Sequence, residues 1–294
     1  LPSSMQFEGN TITGDEEFCN AFASYFSSVY TNNSSVPSNS TSALSFINDE
    51  VNLCTPLIND DEVESAISLL KLSWAPGPDN IPSAILINCK AALIPILTKL
   101  FNKSLQSKCF PRLWKSSWMF PVYKKSDKSN VCNYRGISML CACSKLFEKI
   151  MSRHMLQAFS PLISNVQHGF MPKRSIETNL IYLLNFCHSY IDKGLQVDVI
   201  YTDFCATFDK VNHFLLLSKL SKYGVHTNVV EWLRSYLTDR CINVKIGTSL
   251  SATFHNLSGV PQGSILGPLL FIIFINDVVF AILHVKLLLY ADDL

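Results

Sequence analysis

Residues 287–294 read LLLYADDL, an apolar run that leads straight into Ala291 and the adjacent carboxylates of Asp292 and Asp293. Apolar residues at this density predict a buried strand over 285–291. A strand end that carries two neighbouring carboxylates is electrostatically costly unless something positive neutralises them. A divalent cation would do so, provided the rest of the chain supplies another ligand.

Working back along the chain, VDVIYTDFCATFDKVNH (197–213) predicts a second strand over 197–204 that runs into Asp203, then a turn and a helix over 212–222. Two such strands side by side would bring Asp203, Asp292 and Asp293 to one point. Carboxylates so placed can hold two metal ions about 3.5 to 4 Å apart, which activate a hydroxyl and stabilise a leaving pyrophosphate. Taken singly, Asp203 also reads as a helix N-cap, and the Asp pair as a solvated turn.

Two further stretches bear on the same chemistry. In SGVPQGSILGPLLFIIFINDV (258–278), Gly259 and Gly263 permit close backbone approach, Gln262 offers an amide, and a helix N-terminus follows that can face an anion. In FPVYKKSDKSNVCNYRGISML (120–140), Lys124, Lys125, Lys128 and Arg135 surround a loop. Such cations suit a triphosphate or a nucleic-acid backbone, and equally an ordinary solvated loop.

The net charge of +1 conceals an uneven distribution. Residues 1–70 hold ten acidic residues and no Lys or Arg, whereas 71–175 hold sixteen basic residues against three acidic ones, Asp79, Asp127 and Glu148. A polyanionic partner would require a block of this kind, though an ordinary solvated face has the same composition. The ten cysteines include no CxxC pair and no His spaced to complete a zinc site, so they read as buried free thiols in a reducing compartment. The most lipid-like stretch, 268–290, contains Asn276, Asp277, His284 and Lys286, which favours a buried helix and strand over a membrane span.

Helices are predicted over 95–107, 144–159, 176–192, 212–222, 228–238 and 264–282, and strands over 118–124, 197–204, 241–247, 252–257 and 285–291. Asn59 and Glu62 form a capping box for another helix. Phe18, Phe22 and Phe26 make a helical stripe near the N-terminus, and 30–44 reads as a Ser/Asn/Thr-rich linker. Helices and strands alternate irregularly, which predicts an α+β fold.

In order and spacing, APGPDNIP, PVYKKSDKSNVCNYRGIS, KLFEKIM, QHGFMPKRS, YTDFCATFDKVNH, SGVPQGSILGPLLFIIFINDV and YADD resemble the reverse transcriptases of non-LTR (LINE-type) retrotransposons. The resemblance covers about residues 60–294. It implies a right-hand polymerase fold: an acidic extension or linker over 1–58, fingers with part of the palm over 59–195, and palm core over 196–294. The two aspartates would sit in a β-hairpin turn, with the return strand and thumb beyond Leu294.

By the same resemblance Asp203, Asp292 and Asp293 are the catalytic metal ligands, for Mg²⁺ or alternatively Mn²⁺. Phe208 would lie under the incoming sugar and exclude a 2′-hydroxyl, Gln262 would lie near the incoming nucleotide, and Lys124 and Arg135 would approach its phosphates. Gly169, Phe170 and Arg174 match a motif that holds the template. The implied partners are an RNA template, a DNA primer and deoxynucleoside triphosphates, with no membrane, in an intracellular setting of nucleus or cytoplasm. Two readings stay beside this one: a retroelement remnant that retains at most nucleic-acid binding, and an intron-encoded reverse transcriptase with the same aspartates. Gly136 departs from the family's usual proline, and the loss of a fixed φ should loosen the loop that presents Arg135.

Overall fold

The computed structural model describes residues 1–31, 50–282 and 284–294. Most of the expected linker over 30–44 lies outside the described residues. The strands are β1 (Ser4–Phe7), β2 (Asn10–Thr13), β3 (Ser116–Tyr123), β4 (Tyr134–Leu140), β5 (Cys241–Ile246), β6 (Ser249–Leu250) and β7 (Phe254–His255). β1 and β2 form a hairpin of their own. The main sheet runs β4-β3-β5-β6, with β7 also pairing β5; β3 and β5 are parallel and the other pairs are antiparallel.

One face of this sheet is covered by the helix Asp15–Ser28, whose Phe18, Phe22 and Phe26 pack with Met119, Tyr134, Ile242 and Val244. Burying a phenylalanine contributes about 1.5–3 kcal/mol, so the aromatic stripe is a main contribution to holding the N-terminal helix on the sheet. The larger core gathers the helices Asp60–Ser68, Lys90–Gln106, Ala142–Phe159, His213–Lys222, Thr227–Leu237 and Gly267–Ile275. At its centre the Phe101 and Phe147 rings stack 4.4 Å apart, and Trp232 meets Phe147 edge-on at 4.9 Å. The capping box at Asn59 forms as the sequence predicts, with Asn59 Oδ1 accepting from Glu62 N–H and Glu62 Oε2 from Asn59 N–H.

Several expectations are corrected. The stretch around the cations is mostly a hairpin: β3 pairs residue by residue with β4, which was expected to be loop, and only 124–133 connect them. Gly136 therefore lies inside β4, opposite Pro121, where a Cβ would fall 2.3 Å from the Met119 sulfur. A glycine fits here because the side chain of Met119, diagonally across the ladder, fills the space, and ladder pairing rather than a proline ring fixes the backbone beside Arg135. The expected strands 197–204 and 285–291 do not form; isolated bridges at Leu289, Tyr290, Asp203 and Asp293 stand in their place. A strand is made by its partners, and few are present here: Ile200 and Tyr201 are 82% and 78% exposed.

The expected helix 264–282 is interrupted after Ile275 and resumes as the short Val278–Ala281. The interruption has a cause in the two polar residues between. Asn276 Nδ2 donates to the Leu162 carbonyl and its Oδ1 accepts from Ser164 N–H. Lys219 Nζ donates both to Asp277 Oδ1 at 2.7 Å and to the Phe274 carbonyl, capping the helix end. Among the described residues no helix is long and apolar enough to cross a membrane. The cysteines are free, but only Cys19, Cys141 and Cys143 are buried; Cys187 and Cys241 are half-buried and Cys54, Cys89, Cys109, Cys132 and Cys205 exposed, so the expectation of buried thiols holds for three of the ten.

Candidate active site

The residues singled out by sequence lie on stretches far apart in the chain, tied to one another by backbone bridges and side-chain hydrogen bonds. The turn at 290–293 is closed by reciprocal backbone bonds, Tyr290 N–H to Asp293 O at 2.9 Å and Asp293 N–H to Tyr290 O at 3.1 Å. Ala291 takes φ +56° at the first central position, the left-handed backbone that two-residue hairpin turns use to match strand twist. Asp292 therefore stands at the tip and Asp293 at the start of the return. Asp293 bridges to Asp203, and Leu294 exchanges two backbone hydrogen bonds with Thr202.

The carboxyl of Asp293 is raised above its ordinary value, first by partial burial, then by the negative charges of Asp292 and Asp203. That repulsion is what a divalent cation would relieve, and three carboxylates are the hard oxygen donors such a cation prefers. The chemistry of the donor set thus fits, while among the described residues no three His, Cys, Asp or Glu side chains stand in ligating geometry. Asp203 is exposed on a segment without ladder partners on both sides, which accounts for the open arrangement.

The turn is latched by a residue to which the sequence pointed only as part of a motif. Gln167, 1% exposed, accepts from the N–H groups of Gly169 and Ala291 through Oε1, and its Nε2 donates to the Ala291 carbonyl at 3.2 Å. His168 N–H donates to Leu289 O, and Leu289 N–H to Val166 O, so 166–168 run as the parallel neighbour of 288–290. Gly169 belongs here for a steric reason: a Cβ on it would lie 2.2 Å from Ala291 N. Arg174 donates to the carbonyls of Ser164, Asn165 and Gln167 and to Asn165 Oδ1, bracing the 164–167 segment that carries Gln167.

Phe208 is held between rings, 4.4 Å from Phe271 and 6.0 Å edge-on from Phe170, whose own backbone is left-handed at φ +57°. Gln262 reaches the sheet edge: its carbonyl accepts from Ser138 N–H of β4, and its Nε2 donates to Asp209 Oδ2 at 2.7 Å. Arg135, three residues before Ser138 on β4, is exposed, and Lys124 lies exposed at the end of β3 with its N–H bonded to Asn133 O. Of the cations in the basic block, only Lys115 is buried among the described residues.

Glu148 is a supporting residue of the Gln262 turn that sequence reasoning missed. It is fully buried on the 142–159 helix, and its Oε2 accepts from the N–H groups of Ile265 and Leu266, while Oε1 accepts from Ser144 Oγ. It thereby caps the helix that follows the Gln262 turn. Burial pushes its carboxyl up, opposed by the Arg240 charge and by the Ile265 N–H. A signal was present: Glu148 is one of only three acids in the cationic block, and it sits among the apolar Leu146, Phe147, Ile150 and Met151. Glu148→Ala would leave these N–H groups unpaired, and the expected loss is about 3 kcal/mol, measured by denaturant unfolding.

Residues 122–294 match the family model described as reverse transcriptase (RNA-dependent DNA polymerase), and the chain belongs to that family. It is 29% identical over 282 residues to the probable RNA-directed DNA polymerase from transposon BS of Drosophila melanogaster, a match that covers 92% of this chain and 30% of that protein. It is 27% identical over 220 residues to the RNA-directed DNA polymerase from mobile element jockey of the same organism, covering 74% of this chain and 24% of that one. The Pol polyprotein from type-1 retrotransposable element R1 of Bradysia coprophila is 25% identical over 243 residues, 81% of this chain and 24% of the other. The chain thus spans less than a third of the length of these relatives.

Proposed function

We propose that this chain carries the nucleotidyl-transfer centre of a reverse transcriptase that copies retroelement RNA into DNA. The observation that supports this most directly is the backbone bridge of Asp203 to Asp293, the residue that closes the Ala291–Asp292 turn, with Gln167 latching that turn through Ala291. Asp203, Asp292 and Asp293 would hold Mg²⁺, or Mn²⁺ in its place. When bound, such ions lower the pKa of an attacking hydroxyl and neutralise a leaving pyrophosphate.

The protein's own side chains have distinct parts in this reading. Exposed Arg135 and Lys124 meet the triphosphate of a deoxynucleotide. Phe208, fixed by its ring neighbours, is stiff enough to reject a 2′-hydroxyl by contact alone. Phe170, 58% exposed, offers a face on which a template base can stack, and Gly169 and Arg174 hold the turn that presents it. In the polymerase division, 1–58 form an N-terminal extension, 59–195 the fingers with part of the palm, and 196–294 the palm core.

The test is primer extension by the full-length protein on an RNA template with a DNA primer, deoxynucleoside triphosphates and Mg²⁺. Incorporation directed by the template supports the reading. Steeply salt-dependent RNA binding without incorporation would instead identify a remnant that only binds nucleic acid.

A further inference from the structure

Asp209 is a carboxylate six residues beyond Asp203 for which the metal chemistry has no use, and it is packed beneath the Gln262 turn with unusual care. Gly259 takes φ +82°, and a Cβ there would fall 2.7 Å from the Asp209 Cα. Gly259 N–H donates to Val211 O and Val260 N–H to Phe208 O, both at 2.8 Å, so the turn is stitched to the backbone on either side of Asp209. Ser258 Oγ donates to the Asp209 carbonyl at 2.6 Å and accepts from Thr31 N–H at 3.0 Å. With Ser138 N–H holding the Gln262 carbonyl, the backbone of this turn is fixed without any help from the Asp209 side chain. Among the described residues, the hydrogen bond that the Asp209 carboxylate adds is the one with the Gln262 side-chain amide.

We propose that Asp209 is a positioning residue that sets the orientation of the Gln262 amide for the incoming nucleotide. The inference rests on the polymerase reading above. An ionised carboxylate only accepts hydrogen bonds, so the amide must turn its Nε2 towards Asp209. Oε1 and the second N–H of Nε2 are then left, in one defined arrangement, for a ligand. A protonated carboxyl can donate to Oε1 as well as accept from Nε2, and an asparagine can do the same, so either change frees the amide to flip.

Burial raises the Asp209 carboxyl to about 6, against the pull of the Gln262 amide and of Lys210. Among the described residues Tyr30, which is buried and raised in its turn partly by the Asp209 charge and lowered by Arg240, also faces it. The ionised form therefore dominates above pH about 6. Because folding raises this carboxyl, its burial opposes folding above that pH and does so progressively less towards about pH 4.

The experiment is single-nucleotide incorporation by the full-length protein across pH 5.5 to 8, comparing wild type, Asp209→Asn, Gln262→Ala and the double variant, with melting curves for each. A charge-assisted hydrogen bond predicts that Asp209→Asn raises KM for the deoxynucleotide about tenfold and changes kcat less. The acid limb of kcat/KM near pH 6 should flatten in the variant, and its melting temperature at pH 7 should not fall. In the Gln262→Ala background, Asp209→Asn should add no further loss. An unchanged KM, additive losses in the double variant, or loss of cooperative melting in Asp209→Asn would each overturn the proposal. A wild-type protein that melts cooperatively yet incorporates nothing would overturn the polymerase reading itself.

Discussion

Asp203→Ala should abolish primer extension while leaving the melting temperature where it is. Asp203 is exposed and belongs to no regular strand, and the contact that places it is the backbone bridge to Asp293, which an alanine retains. The substitution therefore removes a charge and little else. In the proposed reaction that charge is one of three that bring divalent ions to the hydroxyl and the pyrophosphate. Stabilisation of this kind is worth several kcal/mol, or about a thousandfold in rate. Asp293 should respond too: burial and Asp292 still hold its carboxyl up, but with the Asp203 charge gone it should titrate lower than in the wild type, as followed by carboxyl NMR. Extension by Asp203→Ala at the wild-type rate would remove the metal assignment.

Gly169→Ala tests the other half of the site, the seat of the turn. The added Cβ would lie 2.2 Å from Ala291 N and 2.8 Å from its Cα, backbone atoms that cannot move aside without breaking both Gln167 hydrogen bonds to Ala291. Overpacking of this kind costs about 1–3 kcal/mol. Unlike a core defect, its cost should be local. Amide exchange should accelerate at Leu289 and Ala291 while the β3–β4 ladder stays protected, and extension should fall with it because Asp292 and Asp293 lose their support. If exchange at 289–291 is unchanged, the close approach of the two segments is not what holds the turn. Ala291, with its own left-handed backbone, makes a natural companion: Ala291→Gly should be tolerated in conformation, since glycine enters that region freely.

Helices were largely legible in the sequence because their signals are local. The Asn59–Glu62 capping box and the helices over 144–159, 176–192, 212–222 and 228–238 rest on contacts three or four residues apart, and each appears close to its expected limits. Strands were less so. β4 escaped notice because its NYRGISML stretch mixes cations and a glycine with apolar residues, and only pairing with β3 makes it a strand. The reverse held for 197–204 and 285–291, whose apolar composition is that of strands but whose observed partners are confined to a few bridges. The break at 276–277 was equally invisible, since it depends on Lys219 and on Leu162 and Ser164, which lie more than fifty residues away.

By itself the sequence determined which groups the protein has to work with: three aspartates in two motifs, an amide in a Gly/Pro turn, aromatic residues beside each, and a cationic block ahead of them. Composition and order are properties of the chain, and the family follows from them. Only the tertiary structure decided how these groups are supported. It turned Gln167 into the latch of the Asp292–Asp293 turn, Glu148 into the cap behind Gln262, Gly169 into a point of contact, and Asp209 into the partner of an amide 53 residues away. Each of these depends on a buried polar group meeting a backbone or side-chain partner distant in sequence. The energetic demand that such groups be paired is universal, but the fold alone chooses the partner.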